Sequence, residues 1–329
     1  MRKRSLGSTG LSVSRLGLGT MTWGRDTDEH EAREQLVAFV EAGGTLLDTA
    51  AGYTDGDSER LIGTLLGDVV PRDEIVLATK AGISRRGSER VTNASRGHLI
   101  STLDASLTRL GVDHVDLWQV HTWVDDTPLE ETLSALDYAV STGRTAYAGI
   151  SNYNGWQSAR AATWQRAVPG RAPIASNQVE YSLLNRTVEA EAIPAARALG
   201  LGILPWSPLG RGVLTGKYRT GTPADSRAAS PHFSTFVARY LSEPHQRVVE
   251  AVARAAEGLG LAPLEVALAW VRDRPGVTAP ILGARTAAQL RDALGVEECE
   301  LPVEIVHALD DVSREVSGGV HRDEEGAGT

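Results

Sequence analysis

The feature that most constrains this chain is the order of its apolar segments. Short β-rich runs alternate with longer helical ones almost from end to end. Strands are predicted at residues 16–18, 45–48, 75–80, 115–121, 145–150, 174–179, 202–206 and 279–282. Helical patterns between them include residues 29–41, 58–66, 96–110, 128–142, 189–199, 246–259 and 264–273, with Pro128 placed in a first helical turn. The strands read as continuous apolar runs, as parallel strands covered on both faces do. Eight such βα units predict an α/β fold closed into a single (β/α)8 TIM barrel rather than an open doubly wound sheet.

An open dinucleotide-binding fold would also carry G-x-G-x-x-G after an early strand. The nearest approach, Gly17-x-Gly19, has Trp23-Gly24 where the third glycine's helix should begin, so it fails that context. A chain of 329 residues fits one barrel. Residues 1–316 are therefore expected to form one domain. A long Gly/Ser/Pro-rich connection over 209–244 follows the seventh strand, and a helical stretch closes the domain. The Gly-rich, acidic residues 317–329 are expected to be a disordered tail.

Composition narrows the partners. Lys and Arg number 33 against 42 Asp and Glu, a net charge of −9, which disfavours nucleic acid and anionic membranes. The basic start breaks at glycines before a long apolar run develops, so no signal peptide or membrane span is expected. The single cysteine, Cys299, excludes an internal disulfide framework. A cytoplasmic, enzyme-sized protein is the expectation, with oligomeric state left open.

In a β/α barrel the working groups sit at the C-terminal strand ends. Three successive strands here end in Asp48, Lys80 and His121, and Tyr53 follows in the AGYTDGDSE loop. Taken singly, such an Asp is usually a helix cap and such a His a structural residue. Lys80 is harder to dismiss, because an amine ending an apolar strand is costly unless paired. Together the four groups suit carbonyl reduction. A phenol with a reference pKa of about 10 is a poor acid near neutrality. A close ammonium is expected to lower it, with Asp48 orienting Lys80 and His121 donating to the oxygen that gains charge. No residue spacing suggests a metal.

These residues, within LLDTAAGYTDGDSE, LATKAG and DLWQVH, resemble the catalytic tetrad of the aldo-keto reductase family. The similarity continues through GISNY, NQVEYS, PWSPLGRGVLTGKY and LGARTAAQL, in family order over roughly residues 4 to 300. It is closest to the bacterial branch that includes sugar-aldehyde reductases and resembles potassium-channel β subunits. The resemblance implies a (β/α)8 barrel binding NADPH across its C-terminal rim. Ser151, Asn152 and Gln178 match contacts to the nicotinamide carboxamide, and Trp206 the aromatic residue that stacks on its ring. Ser207, Pro208, Leu209, Gly210 and Arg211 match the loop around the pyrophosphate, with Lys217 and Arg227 as cations of a loop closing over it. Gly283, Arg285, Gln289 and Asp292 match the adenosine end, where Arg285 would pair with a 2′-phosphate and favour NADPH over NADH. Thr20 and Met21 match ribose-side contacts, and Asp48 is placed among the cofactor-binding residues as well.

There are departures. Ala293 stands where the family usually has Asn, and the Thr122-Trp123 stretch is variable in the family. Trp23, Tyr53 and Trp123 are expected to line the substrate pocket, with Phe233 or Phe236 as further candidates; for these aromatics other than Tyr53 the alternative is core packing. Asp125 and Asp126 read as helix-capping residues ahead of Pro128. The function implied is NADPH-dependent reduction of an aldehyde or ketone, with Tyr53 as general acid and a small-molecule carbonyl as the partner. The alternatives are an NADPH-binding regulatory subunit and a dedicated deoxysugar ketoreductase.

Overall fold

The computed structural model describes residues 1–86, 89–224, 226–230, 234–314 and 316. Eight parallel strands form one sheet: β1 (Gly17–Gly19), β2 (Leu46–Asp48), β3 (Val76–Ala81), β4 (Val115–Val120), β5 (Thr145–Ser151), β6 (Ile174–Glu180), β7 (Gly202–Trp206) and β8 (Ile281–Leu282). Their spatial order is β7-β6-β5-β4-β3-β2-β1-β8. A parallel bridge between Ile203 and Val277 joins β7 to the segment before β8 and closes the ring. The sheet is thus the expected (β/α)8 barrel, with helices between the strands. They include α1 (Glu29–Glu41), α2 (Asp57–Leu65), α3 (Arg96–Leu110), α4 (Leu129–Ser141), α5 (Gly155–Ala167) and α6 (Ala192–Leu199).

The barrel interior follows from the period of two along each strand. Leu46, Ala78, Leu117 and Leu204 belong to one apolar cluster inside the barrel, together with Leu6 and Val13. Two residues further along four of these strands stand Asp48, Lys80, Gln119 and Trp206. Each strand therefore carries an apolar residue low in the barrel and a polar or aromatic one toward its C-terminal end. Gly149, on β5, leaves the room this layer needs: a Cβ there would stand 2.6 Å from Ser176 Oγ and 2.9 Å from Gln119 Cγ. A second, larger apolar cluster lies between strands and helices, where Trp118, Phe39 and Leu36 are fully buried. Each such side chain contributes about 1.5–3 kcal/mol.

Several elements differ from the expectation. A short antiparallel hairpin, Lys3–Ser5 with Ser12–Ser14, precedes the barrel and sends Leu6 and Val13 into its interior. A second hairpin, Ile83–Arg86 with Glu89–Thr92, rises from the end of β3. Helix α5 was not predicted because its buried residues are Gly155, Ser158, Ala161, Ala162 and Gln165, which make no apolar stripe. Its start is nonetheless encoded, by an Asn154–Gln157 capping box. Helix α4 begins at Leu129, with Pro128 as its N-cap rather than in its first turn. Asp125 does not cap it either, because its carboxylate accepts the Trp123 indole N–H at 2.7 Å. The connection after β7 holds short helical turns and a five-residue helix, α7 (Ser234–Ala238), before α8 (Glu243–Leu259). Helices α9 (Pro263–Arg272), α10 (Ala287–Leu294) and α11 (Val303–Arg314) follow. Residues 317–329 lie outside the described part.

Candidate active site

The inward polar layer holds a buried ion pair. Lys80 Nζ donates to Asp48 Oδ1 at 2.6 Å and to the Thr49 carbonyl at 2.8 Å. The two side chains are 0% and 3% exposed, so neither charge has water to turn to. Gln178 Nε2 donates to the other Asp48 oxygen at 2.9 Å, and Gln119 Nε2 reaches it at 3.5 Å. Gln119 was not anticipated; it lies beside Lys80 in the β3–β4 register, which only the folded sheet brings together. Tyr53 leans over the pair, with Lys80 Nζ 5.2 Å from its ring centre. His121 meets the same ring edge-on at 5.9 Å. Strand ends β2, β3 and β4 and the loop after β2 therefore bring together all four predicted catalytic residues.

The electrostatics differ in one respect from the expectation. Burial raises the Tyr53 pKa above its usual value; Lys80 pulls it down and Asp48 pushes it up, and the net direction is upward. The expected net lowering by Lys80 is outweighed. Burial acts against the Lys80 charge, yet Asp48 and Tyr53 overcome it and hold the ammonium more firmly than usual. His121 is kept neutral far into the acid range by burial, then by the nearby charges of Lys80 and Arg90. Its Nδ1 is buried with no partner among the described residues. That arrangement fits the tautomer with the proton on Nε2, a donor for a ligand oxygen.

From this cluster a cleft of about 1200 Å³ runs across the rim, larger than most single-ligand pockets. It is lined by Met21, Asp48, Tyr53 and His121 at one end, by Ser151, Asn152, Gln178 and Trp206, and by Ser207, Pro208, Leu209, Arg211 and Lys217 further on. Gly283, Arg285, Gln289 and Asp292 complete it, with Ala293 beside them. Thr20 and Gly210 are not on its wall. Thr20 is fully buried, its hydroxyl 2.8 Å from Ser58 Oγ, and Gly210 packs on Leu184. Of Arg227 only the backbone lies within the described part, and Phe233 lies outside it.

Some of these side chains are already engaged. Asn152 holds a left-handed backbone (φ 58°), tolerable for Asn. Its Nδ2 donates to the His121 carbonyl at 3.0 Å, and its Oδ1 accepts the Trp206 indole N–H at 3.0 Å. The Trp206 ring is thus held at a fixed angle in the wall. Arg211, a second left-handed residue, forms a two-pronged pair with Glu180 at 2.9 Å on each arm, and stacks 3.5 Å from the Phe236 ring centre. What it offers the cleft is chiefly backbone. Thr22 and Thr27 donate to the Ala284 and Arg285 carbonyls, fixing that end of the cleft.

Two expected pocket residues are placed elsewhere. Trp23 is fully buried in the core, its indole N–H on Gln35 at 3.1 Å, so it does not face the cleft. Trp123 is not among the residues lining the cleft; it meets Tyr153, which is, edge-on at 5.3 Å. Conversely Ile83, Arg85 and Arg90 of the second hairpin reach the wall, a contribution that their polar sequence did not signal.

The residues fit an extended dinucleotide. The cleft is long, a fixed aromatic face stands beside the Tyr53 cluster, and Lys217 and Arg285 line its far part.

The family model described as "Aldo/keto reductase family" matches residues 15–314. The chain is 38% identical to the uncharacterized oxidoreductase YrpG of Bacillus subtilis (strain 168), over 93% of this chain and 94% of that protein. It is 33% identical to the aldo-keto reductase YhdN of the same organism, over 88% and 87%. It is 35% identical to a probable voltage-gated potassium channel subunit beta of Oryza sativa subsp. japonica, over 88% and 89%. With the barrel, the clustered Asp48, Tyr53, Lys80 and His121 and these similarities, the chain belongs to the aldo/keto reductase family.

Proposed function

We propose that this oxidoreductase is an NADPH-dependent carbonyl reductase that converts an aldehyde or ketone to an alcohol, with residues 1–316 as its single catalytic domain. The observation that carries the reading is Tyr53 above the buried Asp48–Lys80 pair, with a neutral His121 at its edge, at one end of a dinucleotide-sized cleft. When bound, the reduced nicotinamide supplies a hydride to the carbonyl carbon. His121 Nε2 donates to the carbonyl oxygen and Tyr53 gives it a proton. The raised Tyr53 pKa keeps that proton in place at neutral pH. The Lys80 ammonium stabilises the phenolate left behind, and Asp48 with Gln119 and Gln178 holds Lys80 in position. Trp206, Ser151, Asn152 and Gln178 would orient the nicotinamide, with Lys217 and Arg285 on the phosphates.

The test is NADPH oxidation followed over a panel of aldehydes, ketones, quinones and sugars, with wild type beside Tyr53→Phe. Wild type is expected to turn over at least one class, and the variant to lose roughly 10²–10⁴-fold while still quenching its tryptophan fluorescence with NADPH. A variant reducing aldehydes at the wild-type rate would refute the mechanism. A second reading, an NADPH-binding regulatory subunit, is favoured by the relatives in rice and in Arabidopsis thaliana named as probable channel β subunits, at 35% and 33% identity. No turnover over the panel together with a stable protein partner would select it. A ketoreductase of deoxysugars is the narrower variant of the first reading, and sugar substrates in the panel identify it.

A further inference from the structure

We propose that the substrate end of the cleft takes carbonyl compounds bearing an anionic group, a carboxylate or a phosphate monoester, which Arg85 and Arg90 of the hairpin after β3 hold. The proposal rests on the carbonyl-reductase reading and names the substrate class of that same site.

The hairpin Ile83–Arg86 with Glu89–Thr92 sets Arg85 directly opposite Arg90. Directly opposed residues of an antiparallel pair project from the same face, with Cβ atoms about 4.5–5.5 Å apart, and like charges in that arrangement are destabilising. Neither arginine has an ion-pair partner among the described residues. Of the other arginines on the cleft wall, Arg25 pairs with Asp26 and Arg211 with Glu180, while Arg239 and Arg285, like Arg85 and Arg90, form no ion pair among the described residues. None of the carboxylates on the wall, Asp48, Glu180, Glu191 and Asp292, forms an ion pair with either guanidinium. An anion seated between them would relieve the repulsion and satisfy two planar donor sets.

Their position assigns that anion to substrate. Both arginines line the cleft with Tyr53 and His121, and the Arg90 charge is felt at His121. The hairpin is also docked on the Tyr53 loop: the Ile83 carbonyl oxygen lies 2.5 Å from where a Cβ of Gly52 would stand. The cofactor phosphates, by contrast, are read onto Lys217 and Arg285, in the connections after β7 and β8. In the barrel ring β3 is separated from β8 by β2 and β1. The two sets of cations thus stand on different strand connections of the rim.

The test compares kcat/KM within two substrate pairs, 4-carboxybenzaldehyde with its methyl ester and glyceraldehyde 3-phosphate with glyceraldehyde. Wild type, Arg85→Gln/Arg90→Gln and Arg85→Lys/Arg90→Lys are each measured with NADPH. In wild type the anionic member of at least one pair is expected to lead by roughly 10–100-fold, as two charge-assisted contacts imply. The pair that shows the lead identifies carboxylate or phosphate. The Gln/Gln variant should bring the ratio to about 1, and the Lys/Lys variant should keep a preference. Because each ratio is internal to one variant, a general loss of activity leaves it unmoved. A wild-type ratio near 1 in both pairs, or a lead that survives in Gln/Gln, overturns the proposal. If wild type reduces no carbonyl at all, the reductase reading fails. Calorimetric binding of benzoate and of inorganic phosphate to the NADP⁺-loaded protein then decides the anion site. Affinity about tenfold weaker in Gln/Gln upholds it, and equal affinity or no binding rejects it.

Discussion

Lys80 has two buried acceptors, the Asp48 carboxylate and the Thr49 carbonyl, and Asp48 has Lys80 and Gln178 as close donors. Removing one charge leaves the other unpaired in a place without water. Lys80→Met is therefore expected to cost about 3–5 kcal/mol of stability, whereas neutralising both partners of a buried pair is often close to neutral. Asp48→Asn/Lys80→Met should accordingly be more stable in urea than Lys80→Met, while both are inactive as reductases. A double variant less stable than the single would show that the pair itself holds the barrel end together. At this scale the strand-end rule was enough to find Asp48, Lys80 and His121, since chain order alone places strand ends on one rim. It could not find Gln119, which sits inside an apolar strand and acquires meaning only from the β3–β4 register. Nor could it place Trp23, because an aromatic after a strand end reads alike whether it turns to the cleft or, as here, to Gln35 and the core.

The elements read from sequence were those whose pattern is apolar. The eight strands and the amphipathic helices follow from burial on both faces or on one. The hairpin at Ile83–Arg86 and Glu89–Thr92 follows from neither, because its residues are mostly polar and its partner surface is the Tyr53 loop. Gly52 makes that docking possible, and its backbone (φ −86°, ψ 0°) is one alanine can adopt. Gly52→Ala thus adds a contact without adding dihedral strain. Its Cβ would meet the Ile83 carbonyl at 2.5 Å, and backbone has no rotamer by which to yield. The expected result is a loss of about 1–3 kcal/mol, the usual cost of overpacking. Faster amide exchange across the hairpin should accompany it, with the exchange of β7 and β8 unchanged. Wild-type stability and exchange in the variant would mean that the hairpin is not seated on this loop.

Across the whole molecule, charge and protonation set two further expectations. The net charge of −9 describes the surface as a whole, while Lys217 and Arg285 concentrate positive charge along one stretch of the cleft. On the proposed placement of Arg285 beside a 2′-phosphate, Arg285→Ala should lower the ratio of NADPH to NADH affinity by roughly tenfold or more, read by fluorescence titration with each. An unchanged ratio would remove Arg285 from that role. The second expectation concerns pH. His121 and His245 both have pKa values depressed chiefly by burial. For a depressed group, stability is complete above the unfolded value of about 6.5 and is lost as pH falls, because the unfolded imidazole takes up a proton that the folded one refuses. On the alkaline side Lys80, Tyr53, Tyr153, Tyr181 and Tyr240 all have raised values. Their contribution is complete below about 10 and is lost as pH rises beyond it. Burial raises the Cys299 thiol too, from an unfolded value of about 8.5, so the stability plateau should lie between about pH 7 and pH 8.5, above the centre of the usual range of about 5 to 8. Urea unfolding at pH 7.5 and 5.5 should show a fall of up to about 1.4 kcal/mol for each buried imidazole at the lower pH. His121→Gln should remove its own share of that slope while the His245 share persists. A slope unaltered in the variant would mean that His121 takes up its proton in the folded protein as readily as in the unfolded chain, and that the barrel's end does not hold it neutral.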